Sequence, residues 1–353
     1  MIWRNIKYYR VIAGKSRTRL SQELGISIQR LDKYESGKEL PNLEMARRIA
    51  SVLGVKLADI MLAKSTGHKY EHFEYRKNSS FRKNEQEYIE VSIEDYLDRF
   101  FAVVETLDGK VLCEKPAIHT LKPSFDAEQD ALALRRELGF ALSGAIPNLI
   151  MSLENKGILI IQLECADGNF SGRNGLADGR PYIVVNSLAT AERQRSTIAH
   201  ELVHIYFGCP VIENKDWERY MTAVSGAFLF PVENVRNELG EKRTGISADM
   251  LMVCQEYGIS LQMLAKRAEL AGIISKTVYK NFCIKLSMTG QKKNEPSHIE
   301  IEKSLLFEQL MLRAIGENKI TVQRGAELLR IPYMDMNKKM LVSEIYLPHG
   351  INK

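Results

Sequence analysis

The chain has little cysteine and no long apolar run. Its five cysteines (Cys113, Cys165, Cys209, Cys254, Cys283) are odd in number and form no Cys-x-x-Cys pair. That argues against a disulfide scaffold or a cysteine-rich zinc site and fits a reducing cytoplasm. No stretch reaches the roughly 18 consecutive apolar residues of a membrane helix, and Met1-Ile2-Trp3-Arg4-Asn5 runs into charge without a secretory core. No membrane partner is expected. Internal repeats and low-complexity tracts are missing too. What is there is ordinary for a globular protein: 353 residues, 45% hydrophobic and 26% charged, enough for two or three domains.

The net charge of +5 hides an asymmetry. Residues 1–84 carry 18 Lys and Arg against 8 Asp and Glu, a net of +10, whereas residues 85–353 carry 31 against 36, a net of −5. A basic N-terminal block points to nucleic acid, whose phosphates reward each neutralising cation.

Residues 1–62 read as a string of short helices, with apolar positions at helical spacing (Ile6, Tyr9, Leu20, Leu24, Leu31, Tyr34, Met45, Ile49, Leu53). Ser16 and Ser27 are placed to cap two of them, and Gly25 to end the helix between. Two helices with a tight glycine turn make a helix-turn-helix, whose second helix enters the major groove. Gln29, Arg30 and Lys33 then face outward as base readers, while Arg17 and Lys38 meet phosphates. Residues 63–125 read as a connecting segment, polar and without apolar periodicity over 63–90. Residues 126–290 form a second domain: helical from Asp126 to Asn155 with a break near Gly144 and Pro147, strands at Gly157–Leu163 and Pro181–Val185 around a glycine-rich turn segment, then helices from Thr190 to Ser287. Residues 291–353 form a helical C-terminal region. The fold class expected is mainly α with a small β-sheet, α+β.

His200-Glu201-Leu202-Val203-His204 lies in a run, Thr197 to Phe207, without Gly or Pro. On a helix the two histidines point the same way one turn apart and can share one ion, with Glu201 beside them to take a proton from water. Zn2+ suits such nitrogen ligands. A third protein ligand is needed. The longer three-histidine zinc pattern is absent, since Phe207 and Pro210 stand where it needs other residues. Glu213, Asp216 and Glu218 are the candidates, and Glu218 is preferred because it opens a helical run whose small residues (Ala223, Ser225, Gly226, Ala227) allow close packing on the first helix. An oxyanion donor is expected from Tyr206, Tyr220 or Arg195. A thiolate at Cys113, in the connecting segment, is able to fill the open zinc position and keep the site latent, against the plainer reading of a half-buried cysteine. His68, His72, His119, His298 and His349 are isolated and read as surface or packing residues.

Two resemblances carry the reading further. Ser16–Leu57 resembles the Xre/phage-repressor helix-turn-helix family through Leu20, Leu24-Gly25-Ile26-Ser27, Leu31, Tyr34-Glu35-Ser36-Gly37, Pro41 and Leu53-Gly54-Val55, which implies a five-helix, lambda-repressor-like domain on double-stranded operator DNA. Residues ~126–290 resemble the ImmA/IrrE metallopeptidases through Ile146-Pro147-Asn148-Leu149-Ile150, Glu154-Asn155-Lys156-Gly157-Ile158, Arg193-Gln194-Arg195 leading to His200-Glu201, and Glu218 to Phe230-Pro231. Lys292-Lys293-Asn294-Glu295-Pro296 resembles an element of the longer members. This resemblance implies a gluzincin-like zinc endopeptidase with His200, His204 and Glu218 as ligands and Glu201 as general base. It further implies cleavage of a repressor-type protein to derepress a stress, mobile-element or defence operon, with DNA as partner or activating signal and a homodimer on two half-sites. The rival expectation is a non-proteolytic regulator, or an antitoxin-like protein, that uses the second domain to sense or bind.

Overall fold

A computed structural model describes residues 2–61, 67–73, 83–166, 170–208, 215–290 and 296–341. Along the chain run α1 (Ile2–Ile12), α2 (Arg17–Leu24), α3 (Ile28–Ser36), α4 (Leu43–Leu53), α5 (Leu57–Met61), β1 (Tyr70–Phe73) and α6 (Lys83–Thr106). Next come α7 (Ala127–Glu137), α8 (Leu149–Glu154), β2 (Leu159–Leu163), β3 (Gly172–Ala177), β4 (Arg180–Asn186), α9 (Ala191–Phe207) and α10 (Lys215–Leu229). The last helices are α11 (Val232–Leu239), α12 (Asp249–Tyr257), α13 (Leu261–Leu270), α14 (Lys276–Met288), α15 (Leu306–Gly316), α16 (Val322–Leu329) and α17 (Tyr333–Met340). The fold is mainly α with one small four-stranded sheet. The described residues cluster into two compact units, one drawn from 1–68, 82–112 and 305–353, the other from 69–81 and 113–304.

The first unit begins with the five-helix domain. Ser16 and Ser27 accept the backbone N–H groups of Arg19 and Arg30, and Gly25 ends α2 in the left-handed conformation at φ 63°, where a side chain would be strained. Leu20, Leu24, Leu31, Tyr34 and Ile49 close its core with Ile6 and Ile60. Ala13 falls beyond the end of α1 and is exposed. The connecting segment is more structured than its polarity predicts: α6 is a 24-residue helix whose Val91 packs with Tyr8 and Val11 of α1. The C-terminal helices return to α6, with Phe307 of α15 edge-on to Tyr96 and Phe100 and Arg99 donating to the Leu328 carbonyl.

The second unit holds the sheet, in the order β1-β3-β4-β2, with β2 and β4 parallel and the other pairs antiparallel. Two of its strands lie where the sequence reads otherwise. β1 falls inside the connecting segment, and β3 is the glycine-rich stretch expected as a turn. Those glycines are demanded by contact. A Cβ at Gly172 would lie 2.3 Å from Thr197 Cγ2 on α9, and one at Gly175 would lie 2.2 Å from the Glu71 carbonyl and 2.3 Å from the Tyr182 hydroxyl. The strand is thus laid directly on the helix that carries the histidines. The core beneath is one continuous cluster around α9 and α10, including Ile198, Leu202, Val203, Val224, Ala227 and Phe228.

Candidate metal centre and nucleic-acid interface

α9 runs 17 residues without Gly or Pro and ends at Gly208, whose N–H caps the His204 carbonyl at φ 71°. His200 and His204 stand one turn apart on it, both buried. α10 packs alongside and brings Glu218 from its first turn. The two Nε2 atoms are 3.1 Å apart. The Glu218 carboxylate oxygens lie 3.4 Å from His200 Nε2 and 3.4 Å from His204 Nε2. Donors bound to one zinc at about 2.0–2.1 Å in tetrahedral directions stand about 3.3 Å apart. The three edges therefore match one small tetrahedral ion, and two imidazoles with a carboxylate are the donor set of a zinc site with an open fourth position. Among the described residues this is the one cluster of that kind.

Asp216 faces away and pairs with Arg219 at 3.0 Å, while Glu213 and Cys209 lie outside the described residues, as do residues 291–295 of the Lys292–Pro296 element. The structure does not bring Cys113 to the cluster. It is exposed, and its carbonyl takes the Arg180 guanidinium at 2.7 Å.

Glu201 sits between the histidines, half-buried. Its Oε2 accepts a 2.7 Å bond from Asn174 Nδ2 on β3. Asn174 is wholly buried and went unnoticed in the sequence, hidden in a stretch with little strand propensity. The three oxyanion candidates are engaged elsewhere. Arg195 is buried and donates to the carbonyls of Ile146 (2.8 Å) and Gly258 (3.1 Å) and pairs with Glu302. A Cβ at Gly258 would lie 2.5 Å from its Nε. It staples the unit together. Tyr220 donates to Asp130; burial and that carboxylate raise its pKa. Tyr206 is buried, and burial, with the nearby Glu137 charge, pushes its hydroxyl up to about 12.

In the first unit, Gln29, Arg30 and Lys33 are exposed on α3 and Lys38 in the turn after it, while Leu31 and Tyr34 point inward. Arg30 lies over the Tyr34 ring and pairs with Glu39 at 3.2 Å. Arg17 differs from the expectation. Rather than standing free for phosphate, it bonds Glu35 at 3.0 Å and Glu87 at 3.3 Å. Buried Arg10 shares both carboxylates, at 2.5 Å and 2.7 Å. Burial works against the Arg10 charge, but the two carboxylates outweigh it and its pKa is raised.

Residues 6–60 match the helix-turn-helix family, and residues 153–269 match the IrrE N-terminal-like domain. Among curated proteins, an uncharacterized HTH-type transcriptional regulator of Methanocaldococcus jannaschii is 39% identical over 57 residues, 16% of this chain and 86% of that protein. No solved structure matches.

Proposed function

The chain belongs to the ImmA/IrrE-type proteins that join an Xre-type helix-turn-helix to an IrrE N-terminal-like domain; from that premise we propose that it is a DNA-binding transcriptional regulator coupled to a zinc endopeptidase that cuts a repressor-type protein. The observation that carries the peptidase reading is the His200–His204–Glu218 triangle with Glu201 beside it. Zinc held by those three residues supplies Lewis-acid chemistry, polarising a peptide carbonyl and acidifying water. Glu201 takes the proton of the attacking water and hands it to the leaving amine. Asn174 fixes one oxygen of that carboxylate, so the base enters each turnover already oriented. The +10 block and the exposed face of α3 supply the DNA contact, and two copies on two half-sites would form the operator complex.

Purified full-length chain tests the reading directly. It should carry one equivalent of zinc by elemental analysis, and Glu218→Ala should lose it. Incubation with each repressor-type protein encoded nearby should then yield a chelator-sensitive cut, located by mass spectrometry. Zinc binding without any such cut would favour the sensing or antitoxin-like role. A smaller effect follows for Asn174. Asn174→Ala should lower turnover about tenfold, the scale of one lost charge-assisted hydrogen bond, at unchanged zinc content. Loss of zinc in that variant would assign Asn174 to the metal site instead.

A further inference from the structure

The ion pairs of the first unit are sealed at one end and open at the other. Arg10 and Glu35 are each 2% exposed in their side chains and 2.5 Å apart. Arg17 is 42% exposed and Glu87 20%, and at 3.3 Å theirs is the longest of the four contacts. Arg17 is the first residue of α2, the helix that crosses the DNA backbone when a helix-turn-helix docks. Its neighbours at that end are satisfied within the five-helix domain: Lys15 and Arg19 both pair with Glu23. Glu87 comes from outside that domain, on α6. A half-exposed guanidinium at the start of α2 is therefore held by a carboxylate that the five-helix domain does not itself supply.

Exposed ion pairs contribute only about 0–1 kcal/mol, whereas a duplex presents a dense row of phosphates, each favoured further by counterion release. We propose that Arg17 is a backbone-phosphate ligand for duplex DNA that Glu87 occupies in the free protein. DNA binding exchanges the Glu87 carboxylate for a phosphate oxygen on Arg17, while Glu87 keeps its 2.7 Å bond to Arg10. α6 thereby sets how tightly the helix-turn-helix holds DNA. This rests on the DNA-binding reading above.

The test uses the full chain and a short fluorescent duplex of arbitrary sequence, titrated by anisotropy between about 50 and 200 mM salt. Glu87→Gln should bind about threefold to tenfold tighter at the lower salt, and its log K against log salt should steepen by about 0.9, one added phosphate contact. Arg17→Gln in the Glu87→Gln background should return both values to wild type. Glu85→Gln, which removes an equal charge from the same helix, should not steepen the slope. Circular dichroism melts verify that each variant is folded. An unchanged slope in folded Glu87→Gln, or a gain that survives Arg17→Gln, overturns the proposal and leaves the DNA reading standing. Absence of duplex binding by wild type and Glu87→Gln alike overturns both.

Discussion

Glu201→Gln is expected to keep its zinc and lose about 10²–10⁴-fold in cleavage rate, the usual contribution of a positioned general acid–base. The amide is nearly isosteric and Glu201 is not one of the three clustered donors, so the ligand triangle is undisturbed. The Asn174 N–H finds an amide oxygen where the carboxylate stood. What disappears is an oxygen able to carry a proton between water and the leaving nitrogen. Zinc content by elemental analysis together with single-turnover cleavage measures both halves. A variant that cuts at wild-type rate would remove Glu201 from the mechanism. A variant that loses zinc would make the effect one of metal binding.

The second large effect lies in the helix-turn-helix. Glu35→Gln leaves the Arg10 guanidinium buried with one of its two carboxylates gone. Arginine does not shed its proton to escape, and breaking a buried pair costs about 3–5 kcal/mol. Glu87 continues to accept from Arg10, which places the loss near the lower end, about 3 kcal/mol. That corresponds to about a 100-fold fall in hydrogen-exchange protection for amides of α1–α5. Glu23→Gln, at an exposed pair, should leave that protection near wild type. Equal protection in wild type and Glu35→Gln would mean that the network contributes nothing to stability.

Much of the fold and half of the metal site were legible without coordinates. The serine caps, Gly25 and the spacing of Leu20, Leu24, Leu31 and Tyr34 act through neighbours along the chain, so they are visible in the letters. The two histidines are one helical turn apart for the same reason. Glu218 needed more, because the helix bringing it starts eight residues after the first one ends; only its place at the head of a small-residue run favoured it over Asp216.

Three features were decided by packing between distant segments. β3 reads as a turn because Gly172 and Gly175 carry no strand signal; their missing side chains make room for Thr197, Glu71 and Tyr182, partners far away in sequence. Asn174 matters only because that strand crosses α9 at Glu201. Arg17 and Arg195 look in the sequence like cations for a ligand, yet Glu87 and Glu302, reached only through the fold, take them first. The scarcity of cysteine and of long apolar runs left ordinary helices and one helical His-x-x-x-His spacing to define the chain, and periodicity settles those locally. Which carboxylate faces which cation, and which strand lies on the catalytic helix, depends on burial and contact across tens of residues, which no local pattern encodes.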